Sequence, residues 1–263
     1  MEEIKSRTII ELSGSIKNKI ISDLQHLGIA DGDILMVHSS FRSLGKYELN
    51  PEIIISAFLD TIGTNGTLLM PALSYEQEPI DIHSTSDTPS NVGALPEYFR
   101  LRNGTIRSVH PTHSVCGVGP AVKELFSEHQ NDSTPCGQFS PFSKILNIEA
   151  KIVMLGCTLM PNTTMHAIEE LIGPPYLFGD FREYKITTGG GEKYTKKYRT
   201  HGFKGYNQMY DRIKASCFPK ELYSCGYVLD AKTYVINTKI LKSAVLSKLK
   251  EDILFFVEPK SDN

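Results

Sequence analysis

The sequence lacks several features that mark whole classes of protein. It has no apolar run near the roughly 18–20 residues that cross a bilayer. Its start, Met1-Glu2-Glu3, lacks the basic region and the small-residue cleavage site of a signal peptide. The five cysteines include no C-x-x-C pair, which is typical of reduced thiols rather than a disulfide or zinc framework. We therefore expect a cytoplasmic protein with no membrane partner.

An excess of either charge is also missing. The 263 residues carry 28 Lys+Arg against 30 Asp+Glu, a formal net charge of −2, and the pI is about 6.5. A general nucleic-acid binder needs a basic face that neutralises phosphates, so we expect no nucleic-acid partner. Hydrophobic residues make up 40%, an ordinary globular composition. Because no linker interrupts the chain, we predict a single domain over residues 1–263.

Strands and helices alternate over the first two thirds of the chain. Short apolar runs predict four strands, at Ile34–Val37, Thr67–Met70, Val115–Val118 and Ile152–Leu155. Apolar residues at helical spacing predict helices at Ser15–Leu27, from Pro51 to Leu59, at Ala121–Glu128, at Phe142–Leu146 and at Met165–Ile172. This alternation predicts an α/β fold with helices on both faces of a sheet. The polar segment Ser74–Asn91 is predicted to be a surface loop.

The pattern changes after Gly173-Pro174-Pro175. Two segments around three glycines predict a β-hairpin of Phe181–Thr187 and Lys193–Arg199. Further apolar spacing predicts helices at Tyr206–Ala215 and Thr238–Leu249, with short strands near Val228 and at Ile253–Val257. The chain therefore divides into a core, residues 15–178, and an elaborated C-terminal third, residues 179–263.

The segment after the strand Ile152–Leu155 contains the most informative side chains. His166 is expected in the first turn of a helix, with Glu169 on the same helical face. The positive end of a helix disfavours an imidazolium, while a neighbouring carboxylate favours it and orients the ring. Such a ring suits the removal of a proton from an amine or a hydroxyl. An H-x-x-E spacing alone also fits an ordinary surface pair.

Two other polar segments follow strands or turns. His110 and His113 are spaced so that they could bind a metal, or they could lie in a turn shaped by Pro111. The segment His38–Gly45 offers hydroxyls and Arg42 as a phosphate cradle, although such segments are also common as caps. The sequence contains no P-loop, no G-x-S-x-G and no H-E-x-x-H motif. Gly117-Val118-Gly119 is followed by Pro120, which argues against a dinucleotide-binding turn.

Taken in order, these segments resemble the aminoglycoside 3-N-acetyltransferase family over roughly residues 15–178. The resemblance rests on Val37–Ser40 with Gly45, Gly66–Pro71, Asp87–Ser90, Pro96-Glu97 with Arg100, Arg107-Ser108, His110-Pro111, Ser114, Ser140-Pro141, Leu155-Gly156 and Thr164–Glu169. It implies an α/β sandwich and an acyltransferase that uses acetyl-CoA, without metal, to acetylate an amine. An aminoglycoside acceptor would imply a role in antibiotic resistance.

The resemblance also implies roles for individual residues. His166 and Glu169 match the catalytic histidine and its nearby acid. A larger set matches positions around the coenzyme: His38, Ser39, Ser40, Phe41, Arg107, Ser108, His110 and Ser114. Ser108 and Ser114 are the hydroxyls expected to stabilise the tetrahedral oxyanion. For a cationic acceptor, carboxylates should gather in the pocket, with Asp87 and Glu170 as candidates.

Several alternatives stay open on the sequence alone. The acceptor could be a nucleotide-linked amino sugar for a surface polysaccharide, with its diphosphate near Arg182, Lys185, Lys193, Lys196 or Lys197, unless this basic run is simply a solvated strand. A metal-dependent hydrolase could use His110, His113 and His166 with Glu169 or Asp87. A non-catalytic binding protein could keep the fold alone. The small-molecule acceptor and acetyl-CoA are the expected partners, and a homodimer is one further alternative.

Overall fold

The computed structural model describes residues 2–47, 49–78 and 80–260. In chain order its strands are β1 (Ile34–Ser39), β2 (Thr67–Pro71), β3 (Ile82–Ser84), β4 (Ile106–Arg107), β5 (Val115–Val118), β6 (Lys151–Leu155), β7 (Phe178–Thr187), β8 (Lys193–His201), β9 (Tyr206–Gln208), β10 (Tyr223–Val228), β11 (Ala231–Asn237) and β12 (Val257–Pro259). Its helices are α1 (Glu2–His26), α2 (Pro51–Ile62), α3 (Ala94–Leu101), α4 (Val122–Phe126), α5 (Pro141–Lys144), α6 (Thr164–Ile172) and α7 (Thr238–Glu251).

Seven strands form the main sheet, in the order β10-β11-β6-β1-β2-β5-β4. The central strands β6, β1 and β2 are parallel, with Met36 opposite both Leu69 and Ile152. Antiparallel strands extend the sheet on both sides, β11 next to β6 and β5 next to β2. The carboxyl ends of the three parallel strands therefore meet at one edge, where α/β proteins bind ligands.

Helices cover both faces of this sheet, as the sequence predicts. Successive strand residues point to opposite faces, so Leu35 and Val37 pack in the apolar cluster that holds residues of α1, α2 and α3. Met36 packs in the other cluster, with residues of α5, α6 and α7. Helix α2 begins as expected, because the Asn50 side chain accepts the Glu52 N–H and Pro51 takes the first position.

Two smaller sheets lie outside the main one. The predicted hairpin is confirmed as β7 and β8, with Tyr184 opposite Lys196, and β3 runs parallel to β7. The last strand, β12, pairs with β9. In the described part of the chain, no helix combines the length and the apolar character needed to cross a membrane.

Some predicted elements are wrong in their type. The segment Tyr206–Ala215 is not a helix: Tyr206–Gln208 is strand β9, because it pairs with β12, and a short 3₁₀ turn follows at Tyr210–Lys214. The segment Ser74–Asn91 is not wholly a loop, because it contains β3. The strand predicted at Ile253–Val257 begins only at Val257. In each case pairing with a distant strand outweighs the local pattern.

Candidate active site

A cavity of about 690 Å³ opens at the carboxyl ends of the parallel strands. Ser39 at the end of β1 and Pro71 at the end of β2 line it, together with His166 of α6. The hairpin β7–β8 supplies another part of the wall, including Arg182 and Tyr198. The volume and the position at the strand ends are those of a small-molecule site.

Helix α6 presents His166 and Glu169 on the same side, one turn apart. The His166 Nδ1 atom is 3.3 Å from Oε2 of Glu169. The Glu169 side chain is fully buried, whereas 13% of the His166 side chain stays exposed, at the cavity. The structure thus brings together the pair that the sequence singled out. Its catalytic role stays a prediction.

A tyrosine hydroxyl lies between these two side chains. Oη of Tyr210 is 2.6 Å from Glu169 Oε2 and 2.7 Å from His166 Nδ1. Burial, followed by the charge of Glu169, raises the pKa of Tyr210 well above its usual value, so the phenol keeps its single proton. The carboxylate accepts that proton, because hydrogen bonds to a charged acceptor are the stronger ones. The phenol oxygen must then accept the Nδ1 proton of neutral His166, which leaves Nε2 without a proton.

The other carboxylate oxygen is held by a second tyrosine. Tyr176 donates its hydroxyl proton to Oε1 of Glu169 over 2.9 Å. Sequence reasoning identified neither tyrosine. Tyr210 lies 44 residues from His166 and was assigned to a helix, so no local spacing could connect the two. Tyr176 follows Glu169 by seven residues but lies beyond Gly173, where the helical pattern ends.

A second histidine–glutamate pair lies beside the first. Nε2 of His201 is 2.8 Å from Glu170 Oε1, and the ring centroids of His201 and His166 are 4.7 Å apart. Glu170 also accepts hydrogen bonds from the Thr134 hydroxyl and the Cys136 N–H. Burial raises the pKa of Glu170 and lowers that of His201. Glu170 is therefore engaged within the protein and is not among the cavity-lining residues.

Asp87, the other carboxylate predicted to contact an acceptor, lies in the loop after β3. Its Oδ2 accepts the Ser84 hydroxyl proton over 2.6 Å, and its own N–H donates to Ser84 Oγ. Asp87 does not line the cavity either. A contact of Asp87 or Glu170 with an acceptor stays a prediction that their present hydrogen bonds do not favour.

The residues predicted near the coenzyme fall into two groups, and the first ends strand β1. His38 and Ser39 line the cavity, and within the described ranges His38 Nε2 and Ser39 Oγ are buried without a hydrogen-bond partner. Burial, with the nearby His166, lowers the pKa of His38 to about 3. Ser40 accepts a hydrogen bond from Ser43, and Phe41 begins a 3₁₀ turn. His38 and Ser39 thus offer unsatisfied polar atoms to a ligand.

The second group surrounds Arg107, which is mostly buried. Its guanidinium donates to five oxygens, those of Ser114 Oγ, Ala72 O, Ser74 Oγ, Thr88 O and Thr85 O. Burial lowers the pKa of Arg107 to about 10. These bonds fasten the 74–91 segment to strands β2 and β5. Arg107 and Ser114 do not line the cavity, so their contact with a coenzyme stays a prediction.

Ser108 and His110 are also buried behind the cavity wall. The Ser108 hydroxyl oxygen accepts the Val115 N–H and lies 2.8 Å from Nδ1 of His129. The His110 ring stacks on that of His129 at a centroid distance of 5.2 Å. Neither Ser108 nor Ser114 reaches the cavity, so the predicted oxyanion role has no support from their positions.

The metal-centre alternative needs His110, His113 and His166 to converge. His110 Nδ1 accepts the backbone N–H groups of Thr112 and His113, and Nε2 donates to the Thr134 carbonyl. Over residues 2–47, 49–78 and 80–260, no group of three or more His, Cys, Asp or Glu side chains could hold a metal ion. The residues present therefore do not fit the hydrolase centre that this alternative requires.

Comparison with known proteins agrees with this fold. The family model for aminoglycoside 3-N-acetyltransferase matches residues 36–249. The chain belongs to this family. It is 30% identical over 174 residues to aminoglycoside N(3)-acetyltransferase IX of Micromonospora chalcea, covering 59% of this chain and 62% of that one. It is 32% identical over 161 residues to aminoglycoside N(3)-acetyltransferase IV of Salmonella sp, covering 61% and 60%. The chain thus spans about three fifths of the length of these relatives.

The likeness in three dimensions extends further along the chain. The solved structure of AAC-IIIb in a binary complex with CoASH matches with a TM-score of 0.75 at 24% identity, covering 93% of this chain and 98% of that one. The predicted α/β sandwich is therefore confirmed, including its C-terminal third.

Proposed function

We propose that this protein is an N-acetyltransferase that moves the acetyl group of acetyl-CoA to an amine of an aminoglycoside or a related amino sugar. Membership of the family supports this reaction, as do the names of the relatives and the CoASH complex of the structural neighbour. One observation carries the proposal: Tyr210 Oη lies 2.7 Å from Nδ1 of His166 and 2.6 Å from Oε2 of Glu169, and the His166 ring borders the cavity. This arrangement favours the proton on Nδ1 and supports Nε2 as the base.

His166 has to act before the new bond forms. An acceptor amine is protonated at neutral pH and must lose a proton to become a nucleophile. Nε2 of His166 takes a proton from the nitrogen, and Glu169 stabilises the imidazolium that results. Acetyl-CoA supplies the thioester carbonyl and a thiolate leaving group. As the C–N bond forms and the C–S bond breaks, His166 returns its proton to the thiolate sulfur, and the nitrogen loses its second proton to water. An ammonium group and acetyl-CoA thus give an amide, the CoA thiol and one released proton.

Ser39 is the hydroxyl best placed to stabilise the oxyanion. Ser39 lines the cavity, and its buried Oγ has no partner within the described residues, unlike the hydroxyls of Ser108 and Ser114, which are bonded elsewhere. An unpartnered donor in a water-poor site interacts strongly with developing negative charge. Ser39 and His38 are also the polar groups that would approach the thioester end of the coenzyme.

Thiol release from acetyl-CoA tests this reaction. Purified protein is incubated with acetyl-CoA and a panel that contains gentamicin, sisomicin, glucosamine, glucosamine 6-phosphate and UDP-glucosamine. We expect release that depends on an added amine, and a product heavier by one acetyl group in the mass spectrum. A folded protein that releases no thiol with any of these amines would contradict the proposed function.

A further inference from the structure

The cavity lining is basic, although the family is named for polycationic acceptors. Within the described residues, no aspartate or glutamate lines the cavity, while Arg182 and Arg199 do. A pocket selective for a polycation should present several carboxylates, because complementary charge provides specificity. Two cations would repel such an acceptor. This chain's cavity therefore matches an acceptor with an anionic group better than one with only ammonium groups.

The carboxylates nearest the cavity do not reverse this charge. Glu169 accepts hydrogen bonds from two tyrosines and is fully buried. Glu170 is hydrogen-bonded to His201, the Thr134 hydroxyl and the Cys136 N–H, and it does not line the cavity. Glu78 is 4.0 Å from Arg182, but its side chain is 70% exposed, so water screens this pair.

Both arginines keep donors for a ligand. Arg199 stacks on the ring of Phe178, with Cζ 4.4 Å from its centroid, and makes one long hydrogen bond, from Nε to the Gly179 carbonyl at 3.4 Å. Stacking fixes the guanidinium plane and leaves its terminal N–H groups at the edge. The Arg182 side chain is 50% exposed. The planar fork of an arginine is the group that best matches phosphate oxygens.

The hairpin sends some of its basic residues to the cavity and others to solvent. Arg182 and Tyr198 are register partners, and both line the cavity. Lys185, Lys193 and Lys197 are exposed and are not among the cavity-lining residues. Lys196 is engaged with the Gln130 carbonyl. Of the basic residues that the sequence analysis named near a diphosphate, Arg182 lines the cavity. Arg199, which was not among them, lines it as well.

We propose that the acceptor is an amino sugar that carries phosphate, held by Arg182 and Arg199 while its amine reaches His166. This inference rests on the proposed function and names its acceptor class. The rings of Tyr75, Tyr184 and Tyr198 also line the cavity and offer apolar faces against which a sugar or a base can pack.

The test compares acceptors that differ in phosphate. Steady-state kinetics with glucosamine, glucosamine 6-phosphate, UDP-glucosamine and gentamicin are measured for wild type, Arg182→Gln and Arg199→Gln. The matched control is Lys204→Gln, which removes one positive charge from an exposed site beyond the hairpin. We expect a phosphorylated amine to have the highest kcat/KM. Each arginine variant should raise the KM for that amine about 10–100-fold, the effect of losing a hydrogen-bonded charge, while Lys204→Gln leaves it unchanged.

Two results would overturn this acceptor class while the acetyltransferase function stands. One is a higher kcat/KM for gentamicin than for either phosphorylated amine. The other is a rise in the KM for acetyl-CoA, but not for the acceptor, in the arginine variants, since the arginines would then hold the phosphates of the coenzyme.

Calorimetry separates binding from catalysis. UDP-glucosamine and glucosamine 6-phosphate are titrated into protein saturated with CoA. Binding of either that is lost in Arg182→Gln supports the phosphate site even if no amine is acetylated, in which case only the proposed function fails. Absence of binding for both compounds to folded, CoA-saturated wild type would rule out the phosphate site.

Discussion

The two walls of the cavity differ in how their polar groups are held. On α6, His166 and Glu169 are fixed by the buried Tyr210, and the carboxylate is fully covered. On the hairpin, Arg182 is half exposed. A proton acceptor needs a fixed orientation and tautomer, whereas a ligand-binding cation needs unused donors. The difference supports our proposal that α6 supplies the proton acceptor and the hairpin binds the acceptor substrate.

The residues around His166 come from both sides of the boundary that the sequence predicts near residue 178. His166 belongs to the predicted core, but Tyr210 comes from the C-terminal third, which also adds β10 and β11 to the main sheet. Residues 179–263 therefore complete both the sheet and the surroundings of the proposed base.

Replacing His166, the proposed base on α6, should have the largest effect on turnover. General-base assistance contributes on the order of 10²–10⁴-fold, so His166→Ala should lower kcat by about that factor. Calorimetry should show nearly unchanged affinity for CoA. His26→Ala, at an exposed helix end, is the control and should keep wild-type turnover. Wild-type turnover in His166→Ala would remove His166 from the mechanism.

The Arg107→Gln variant distinguishes a structural role of this side chain from a role in binding the coenzyme. Arg107→Gln abandons most of five hydrogen bonds to buried oxygens, so the free energy of unfolding should fall by about 3 kcal/mol. Urea unfolding measures this loss. Arg102→Gln breaks a partly exposed pair with Glu52 and should cost only about 0–1 kcal/mol. A stable Arg107→Gln protein with weakened CoA affinity would instead support the contact predicted from the sequence.

The Tyr210→Phe variant tests whether turnover depends on the fixed positions of His166 and Glu169. Tyr210→Phe removes the hydroxyl that joins His166 to Glu169, and we expect kcat to fall about 10-fold with an altered pH–rate profile. Tyr176→Phe is the matched control, because it also deprives Glu169 of a donor but does not touch His166. Its kcat should stay near wild type. Equal losses in the two variants would mean that the tyrosines act only through stability.

The Glu169→Gln change should cost less than the loss of His166, since it keeps size and most hydrogen bonding. Combined with Tyr210→Phe it should show a non-additive loss in kcat, because the two residues act on the same Nδ1 proton. Additive effects on kcat would indicate that the two side chains work independently.

A different kind of effect, on stability rather than turnover, is expected in acid. Burial lowers the pKa values of His38, His83 and His129 to about 3, below their ordinary 6.5. Below pH 6.5 the unfolded chain takes up protons at these sites and the folded chain does not, so the Tm should fall as the pH drops from 6.5 towards 3. Asp132, whose pKa burial raises to about 6, opposes this trend, because its contribution is lost as the pH rises through 6.

A histidine variant checks the origin of that acid sensitivity. His129→Phe retains a ring against His110 but removes one titrating group, so the slope of Tm against pH should become shallower. His26→Ala, at an exposed site, should leave the slope unchanged. An unchanged slope in His129→Phe would place the acid sensitivity elsewhere.

Sequence reasoning succeeded where interactions are local. Alternating apolar runs located the central strands, and the i,i+3 spacing placed His166 beside Glu169. It failed where distant segments meet. Strand β9 forms only because β12 pairs with it, and Tyr210 reaches His166 from 44 residues away. The resemblance matched Arg107 to the surroundings of the coenzyme, but its hydrogen bonds to the 74–91 segment depend on the tertiary fold and were not predicted.

The tautomer of His166 tests the central claim most directly. Long-range ¹H–¹⁵N correlation spectra of ¹⁵N-histidine-labelled protein at mildly alkaline pH report which ring nitrogen carries the proton, and the spectrum of His166→Ala assigns the signals. The hydrogen bonds through Tyr210 predict a protonated Nδ1 and an unprotonated Nε2. A protonated Nε2 would contradict this account, because the nitrogen assigned to the cavity could not then accept a proton from the amine.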